Sequence, residues 1–127
     1  MAITVPTKSA NRFLAHMLNA ERAENLVLRL YANDVLPSAE SVVEDFLEAN
    51  GYTPQLLTGS DWAIEDGIAT AGPRAFAFRA FRGTVHGYYV TQVLEGGLMW
   101  SERFSDGPYT IQNDGDSITV SPSISLA

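Results

Sequence analysis

The chain carries two histidines, His16 and His86, and they stand seventy positions apart. Zinc sites draw three or four ligands from short, recognisable spacings, and neither an HxH nor an HExxH pattern occurs. His86 lies in an aromatic-rich run and is expected to be a packed or surface side chain. Carboxylates cluster at Glu65-Asp66 and at Asp114 and Asp116, in each case beside glycine. The run Asn113-Asp114-Gly115-Asp116 starts like a calcium loop, but the remaining ligand positions and the distal glutamate are missing. It reads as a turn. A small hydrolase with carboxylates in turns, Asp114 or Asp116 among them, is the weakest alternative, and sequence cannot give the separation that paired-carboxylate chemistry requires. No GxSxG elbow supports a serine nucleophile, and no GxGxxG or GxxxxGK[ST] loop is present to cradle phosphate. No catalytic residue, cofactor or metal ligand is assigned, and the chain is expected not to be an enzyme.

Two further groups of side chains have chemical potential. Arg74, Arg79, Arg82 and Arg103 could gather an anion, but in a chain with 15 acidic and 8 basic residues they are expected to pair with carboxylates. Trp62, Tyr88, Tyr89, Trp100 and Tyr109 could form a stacking platform for sugars. Aromatics in strands more commonly fill cores and cross-strand pairs, and that is the expectation here.

The formal charge of −7 repels nucleic acid phosphates and anionic lipid, so neither is an expected partner. A basic protein surface would be complementary. Cysteine is absent, which removes disulfides, thiolate metal sites and thiol nucleophiles together. No apolar run is long enough to span a bilayer, and the opening residues lack a signal-peptide core. The expected site of synthesis and use is a cytoplasm, or something assembled there.

The elements that must position these residues are mostly strands. The stretch Pro73–Phe104 contains three aromatic and β-branched runs broken at Arg82-Gly83 and Glu95-Gly96-Gly97, which predicts a three-stranded antiparallel meander. Alternation groups Phe76, Phe78 and Ala80 on one face. It sets Val85 with Tyr89, Thr91 and Val93, and Leu98 with Trp100 and Phe104. Before the meander, Leu26, Leu28 and Leu30 alternate with Val27, Arg29 and Tyr31 in a further strand. Gln55–Thr58 and Ile68–Thr70 read as strands either side of Trp62. After it, residues 117–126 alternate apolar and small polar side chains, with Pro122 marking an edge or a bulge.

Two helices are expected as well. Ala10, Phe13, Leu14, Met17 and Leu18 recur at helical spacing between Ser9 and Ala20. Ser41 and Glu44 have capping-box spacing before Phe46 and Leu47, and Asn50-Gly51 would end a short helix near 41–49. The fold expectation is one mainly β domain over 1–127, an antiparallel sandwich or jelly-roll-like barrel of seven or eight strands. Residues 1–22 form an arm and helix, and 23–127 the β body.

The segments LRLYANDVLPSAES, FLEANGYTPQLLTGSDW, TVHGYYVTQVLEGGLMWSERF and SITVSPSISL together resemble a group of small tailed-phage proteins encoded among virion structural genes of cyanobacterial and environmental phages. The similarity runs through Leu28–Asp34, Gly51-Tyr52, Trp62, Gly87–Val90, Leu98–Phe104 and Ile118–Leu126. These are strand and turn motifs, so the resemblance implies a structural role and no catalytic residue. It implies a capsid decoration (cement) protein at the virion surface, assembled in the host cytoplasm, with the major capsid protein as partner. It also implies a homo-oligomer, with a trimer favoured. A minor tail or fibre component, or a glycan- or receptor-binding module, is the alternative. The apolar residues of the arm and helix, Ile3, Val5, Phe13, Leu14, Met17 and Leu18, are the expected interface.

Overall fold

The computed structural model describes residues 14, 26–38, 40–93 and 97–125. Among them are eleven strands and two single 3-10 turns, and every strand pairing is antiparallel. The chain is mainly β and sandwich-like.

The largest sheet has the order β2-β1-β7-β8. It is built from β1 (Leu26–Tyr31), β2 (Gln55–Leu57), β7 (Gly87–Gln92) and β8 (Leu98–Arg103). Leu26, Leu28 and Leu30 point to the core, as their alternation predicts, while Val27, Arg29 and Tyr31 lie on the other face. A three-stranded sheet has the order β11-β4-β3, with β3 Trp62–Glu65, β4 Ile68–Ala71 and β11 Ser123–Ser125. Two ribbons complete the body. In one, β5 (Arg74–Ala77) pairs with β10 (Ser117–Val120); in the other, β6 (Gly83–Val85) pairs with β9 (Tyr109–Ile111). One apolar cluster draws side chains from all four sheets, including Leu28, Ala69, Phe76, Val85, Tyr88 and Ile118.

The structure corrects several expectations. The described residues form eleven strands rather than about seven or eight, and their sheets do not close into a barrel. The central stretch is not a meander, because only β7 and β8 form a hairpin. The first run, β5, is carried away to β10 by a turn in which Ala80 has φ of 57° and donates its N–H to Asp114 Oδ1 at 3.0 Å. Ala80 therefore leaves the face that Phe76 and Phe78 share. Val85 joins the core with Tyr88 and Val90 rather than Tyr89, since the backbone breaks at His86, whose N–H turns to the Tyr31 carbonyl at 2.9 Å. A bulge between Val90 and Thr91 leaves Met99 outside the register. It puts Leu98 on the outer face while Trp100 and Phe104 pack inward.

The helix expected near 41–49 is also absent. Only Val43–Asp45 makes a 3-10 turn, after which Ala32 N–H bonds Leu47 O at 2.7 Å and Ala49 N–H bonds Leu30 O at 2.9 Å. Strand-like pairing with β1 outcompetes the helical ladder. The closing run behaves as its alternation predicts: Ile118 and Val120 are buried, Ser117 and Thr119 exposed, and the strand breaks at Pro122. The N-terminal arm and helix lie outside the described residues apart from Leu14.

Candidate functional site: a groove beneath a clamped loop

The outer face of the large sheet is covered in part by the chain between Ala32 and Glu48. Phe46 is its anchor. That ring stacks on Tyr89 at a centroid distance of 5.1 Å and 12° between planes, and meets Tyr31 at 4.9 Å. Asn33 ties the two ends of the loop together, its Nδ2 donating to Asp45 O at 2.8 Å and its Oδ1 accepting Leu47 N–H at 2.9 Å. Val42 N–H bonds the Asp45 carboxylate at 2.9 Å, which fixes the 3-10 turn. Arg103 reaches from β8 to Val35 O at 3.2 Å and to Asp34 Oδ1 at 2.6 Å. Its guanidinium, by hydrogen bond and charge, holds the Asp34 carboxyl below the usual range.

Phe46, Val35 and Val43 of the loop turn inward, but three other apolar side chains do not. Leu36, Val42 and Leu47 are 75%, 50% and 64% exposed. Beside the loop, a groove of about 410 Å³ runs along the sheet, with Val27, Val43, Leu56 and Val93 among its walls. Leu56 and Val93 are themselves half-exposed. The groove's polar feature is Arg29, which bridges both Glu48 oxygens at 3.0 and 3.2 Å and reaches Thr91 Oγ1 at 3.2 Å. The site can therefore receive an apolar segment, with a paired charge at one side to set orientation.

The sequence-predicted chemistry falls elsewhere. Trp62, Tyr88 and Tyr89 are buried and Trp62 packs edge-on to Trp100 at 5.9 Å, while Trp100 and Tyr109 are only partly buried against the core. Asp114 accepts from Ala80 N–H and Arg82, and Asp116 from Gln112 and Asn113 N–H, which is turn chemistry. Arg74, Arg82 and Arg103 pair with Asp61, Asp114 and Asp34, as expected, and Arg79 is exposed. His86 is packed, with Nδ1 4.0 Å from Asp34 Oδ1. No group of three metal-ligating side chains occurs among the described residues.

Of the residues expected at the interface, Leu14 is fully buried in the core of its own chain. Ile3, Val5, Phe13, Met17 and Leu18, like His16, lie outside the described residues. Sequence reasoning missed the loop and its groove. The available signal was Leu36 before Pro37 and the adjacent Val42-Val43, apolar residues that fit no helical stripe.

What the fold defines is a class, a mainly antiparallel β protein of sandwich-like build. No family model matches the chain, and neither the curated proteins nor the solved structures give a significant match.

Proposed function

We propose that the chain is a structural component of a tailed-phage virion, a capsid decoration (cement) protein. It binds the assembled head through the major capsid protein, meets sister copies as a homo-oligomer with a trimer favoured, and resides on the capsid surface after assembly in the host cytoplasm. The observation that carries this reading is the apolar groove beside a loop pinned by Asn33, Phe46 and Arg103. A decoration protein must present a rigid adhesive patch without collapsing it. The likeness of the strand and turn motifs to small phage structural proteins supports the same reading. So does the acidic surface, which complements a basic partner and disfavours nucleic acid and anionic membrane. A standard contact buries roughly 800 Å² per partner, about a tenth of the 7532 Å² surface of this chain. The role needs no cofactor and no catalytic group.

The test is co-sedimentation of the purified chain with assembled shells of the parent phage that lack it. The expected result is saturable binding at a fixed copy number per shell. The double variant Leu47→Glu/Leu56→Glu should keep the thermal midpoint and lose at least tenfold in shell occupancy. If the unaltered chain stays in the supernatant at every concentration, the proposal fails.

A further inference from the structure

β9 and β10 follow one another in the chain, yet they do not pair. Among the described residues β9 pairs with β6 alone and β10 with β5 alone. Asp116 explains the separation. Its Oδ2 accepts Gln112 N–H at 2.9 Å and Asn113 N–H at 3.0 Å, so the amide that would make the first rung of a β9–β10 ladder is already engaged. On the other side, Phe78 N–H bonds Asp116 O at 3.0 Å and Gly115 N–H bonds Phe78 O at 2.8 Å, drawing the start of β10 towards β5. The hairpin is splayed, and a cleft of about 430 Å³ opens between its arms. Tyr109, Thr110 and Ile111 form one wall; Ser117, Ile118 and Thr119 form the other. Ile111 and Ile118 belong to the core, so the cleft has an apolar floor between two strand edges. An edge left without a ladder partner is a template for another strand, and here two edges without one among the described residues line one cleft.

The sequence contains a segment suited to it. Ile3-Thr4-Val5 repeats Ile118-Thr119-Val120 of β10, where isoleucine and valine are buried and threonine is exposed. No charged side chain precedes Lys8, and Pro6 ends the stretch able to donate to a ladder. Three to four extended residues span roughly 10–13 Å, the length of β9 and β10 themselves. We propose that the β9–β10 cleft receives residues 2–5 of a second copy as an added strand, with Ile3 and Val5 over Ile111 and Ile118 and Thr4 outward. This rests on the homo-oligomer of the reading above. An arm passed from each copy to the next is a heterologous contact, which closes as a ring in a trimer.

The absence of cysteine makes the test clean. Two single variants of the full chain, Thr4→Cys and Thr119→Cys, are mixed under mild oxidation, with Glu65→Cys on β3 replacing Thr119→Cys as the exposed control. Far-UV circular dichroism checks that each is folded. The expected result is a mixed disulfide between Thr4→Cys and Thr119→Cys chains, formed at least tenfold faster than with the control. Equal rates overturn the proposal. So does a Thr4→Cys/Thr119→Cys double variant that cross-links only within one chain. Shell binding is measured separately: shells decorated without the mixed disulfide sink the strand exchange alone, and the disulfide without decoration sinks the capsid reading alone.

Discussion

The Tyr52 hydroxyl donates to Glu48 Oε2 at 2.7 Å while accepting the Leu30 N–H at 2.8 Å. Glu48 in turn receives Arg29, so one phenol links the backbone of β1 to the charged pair at the groove. Tyr52→Phe removes both bonds and leaves the Leu30 amide without its partner. The expected loss is about 1–3 kcal/mol, since an unsatisfied buried donor carries its full desolvation cost. A lower urea midpoint with unchanged slope would confirm it. Glu48→Gln keeps an acceptor for Tyr52 and should cost less.

Gly87 allows no side chain. A Cβ there would stand 2.3 Å from Glu102 O and 2.5 Å from the Tyr31 hydroxyl. The neighbour on one side is backbone of the adjacent strand, which cannot swing away. Gly87→Ala is expected to cost about 3 kcal/mol through overpacking, a large effect for one methyl group. Gly115→Ala is the useful contrast. That position has nothing within 4 Å and a φ of +93°, so only backbone strain acts there. Chemical denaturation of both variants would rank the two mechanisms.

Much of the fold was legible where one face is buried and the other wet. Residues 26–31 and 117–125 alternate cleanly, and their strands lie where the alternation puts them. Strand partners were not legible, because period-two patterning says which face is inward and nothing of which neighbour is paired. The Met99 bulge and the break at His86 each invert a face by one residue, and no residue type announces them. The site was hidden for a related reason. Leu36, Val42 and Leu47 look like material for a helix or a core until Asn33 and Phe46 are seen to hold their loop open.

The Asn33 side chain is the clasp of that loop, and Asn33→Ala is expected to cost about 1–2 kcal/mol for two hydrogen bonds. A structural residue would lower stability and nothing more. Loss of a clasp should also raise hydrogen exchange at Leu47 well above that at Val90 in the core. Asn33→Asp is the discriminating variant: it retains the acceptor for Leu47 N–H and loses the donor to Asp45 O. Exchange at Leu47 should stay slow in Asn33→Asp and become fast in Asn33→Ala.

Stability should fall at both ends of the pH range, for opposite reasons. Asp114 and Asp116 are held below the ordinary carboxylate range, the first by Ala80 N–H and then Arg82, the second by the N–H groups of Gln112 and Asn113. A depressed folded value means stability is complete above the unfolded value near 3.9 and drains away as pH falls through the folded one. At the alkaline end burial is the main cause raising Tyr52, Tyr88 and Tyr89, the last to about 12. These phenols are raised acids whose neutral form the fold protects. Their contribution is complete below the unfolded value of roughly 10 and is lost as pH rises towards and past 12. The urea midpoint followed against pH should therefore show a plateau with two falling limbs. Asp116→Ala should flatten the acid limb and leave the alkaline one, and Tyr89→Phe should do the reverse. Added salt should weaken the acid limb of Asp114, which Arg82 holds by hydrogen bond and charge, more than that of Asp116, which is held first by backbone amides and reached by Arg82 through charge alone. Identical salt responses in Asp114→Ala and Asp116→Ala would refute that assignment.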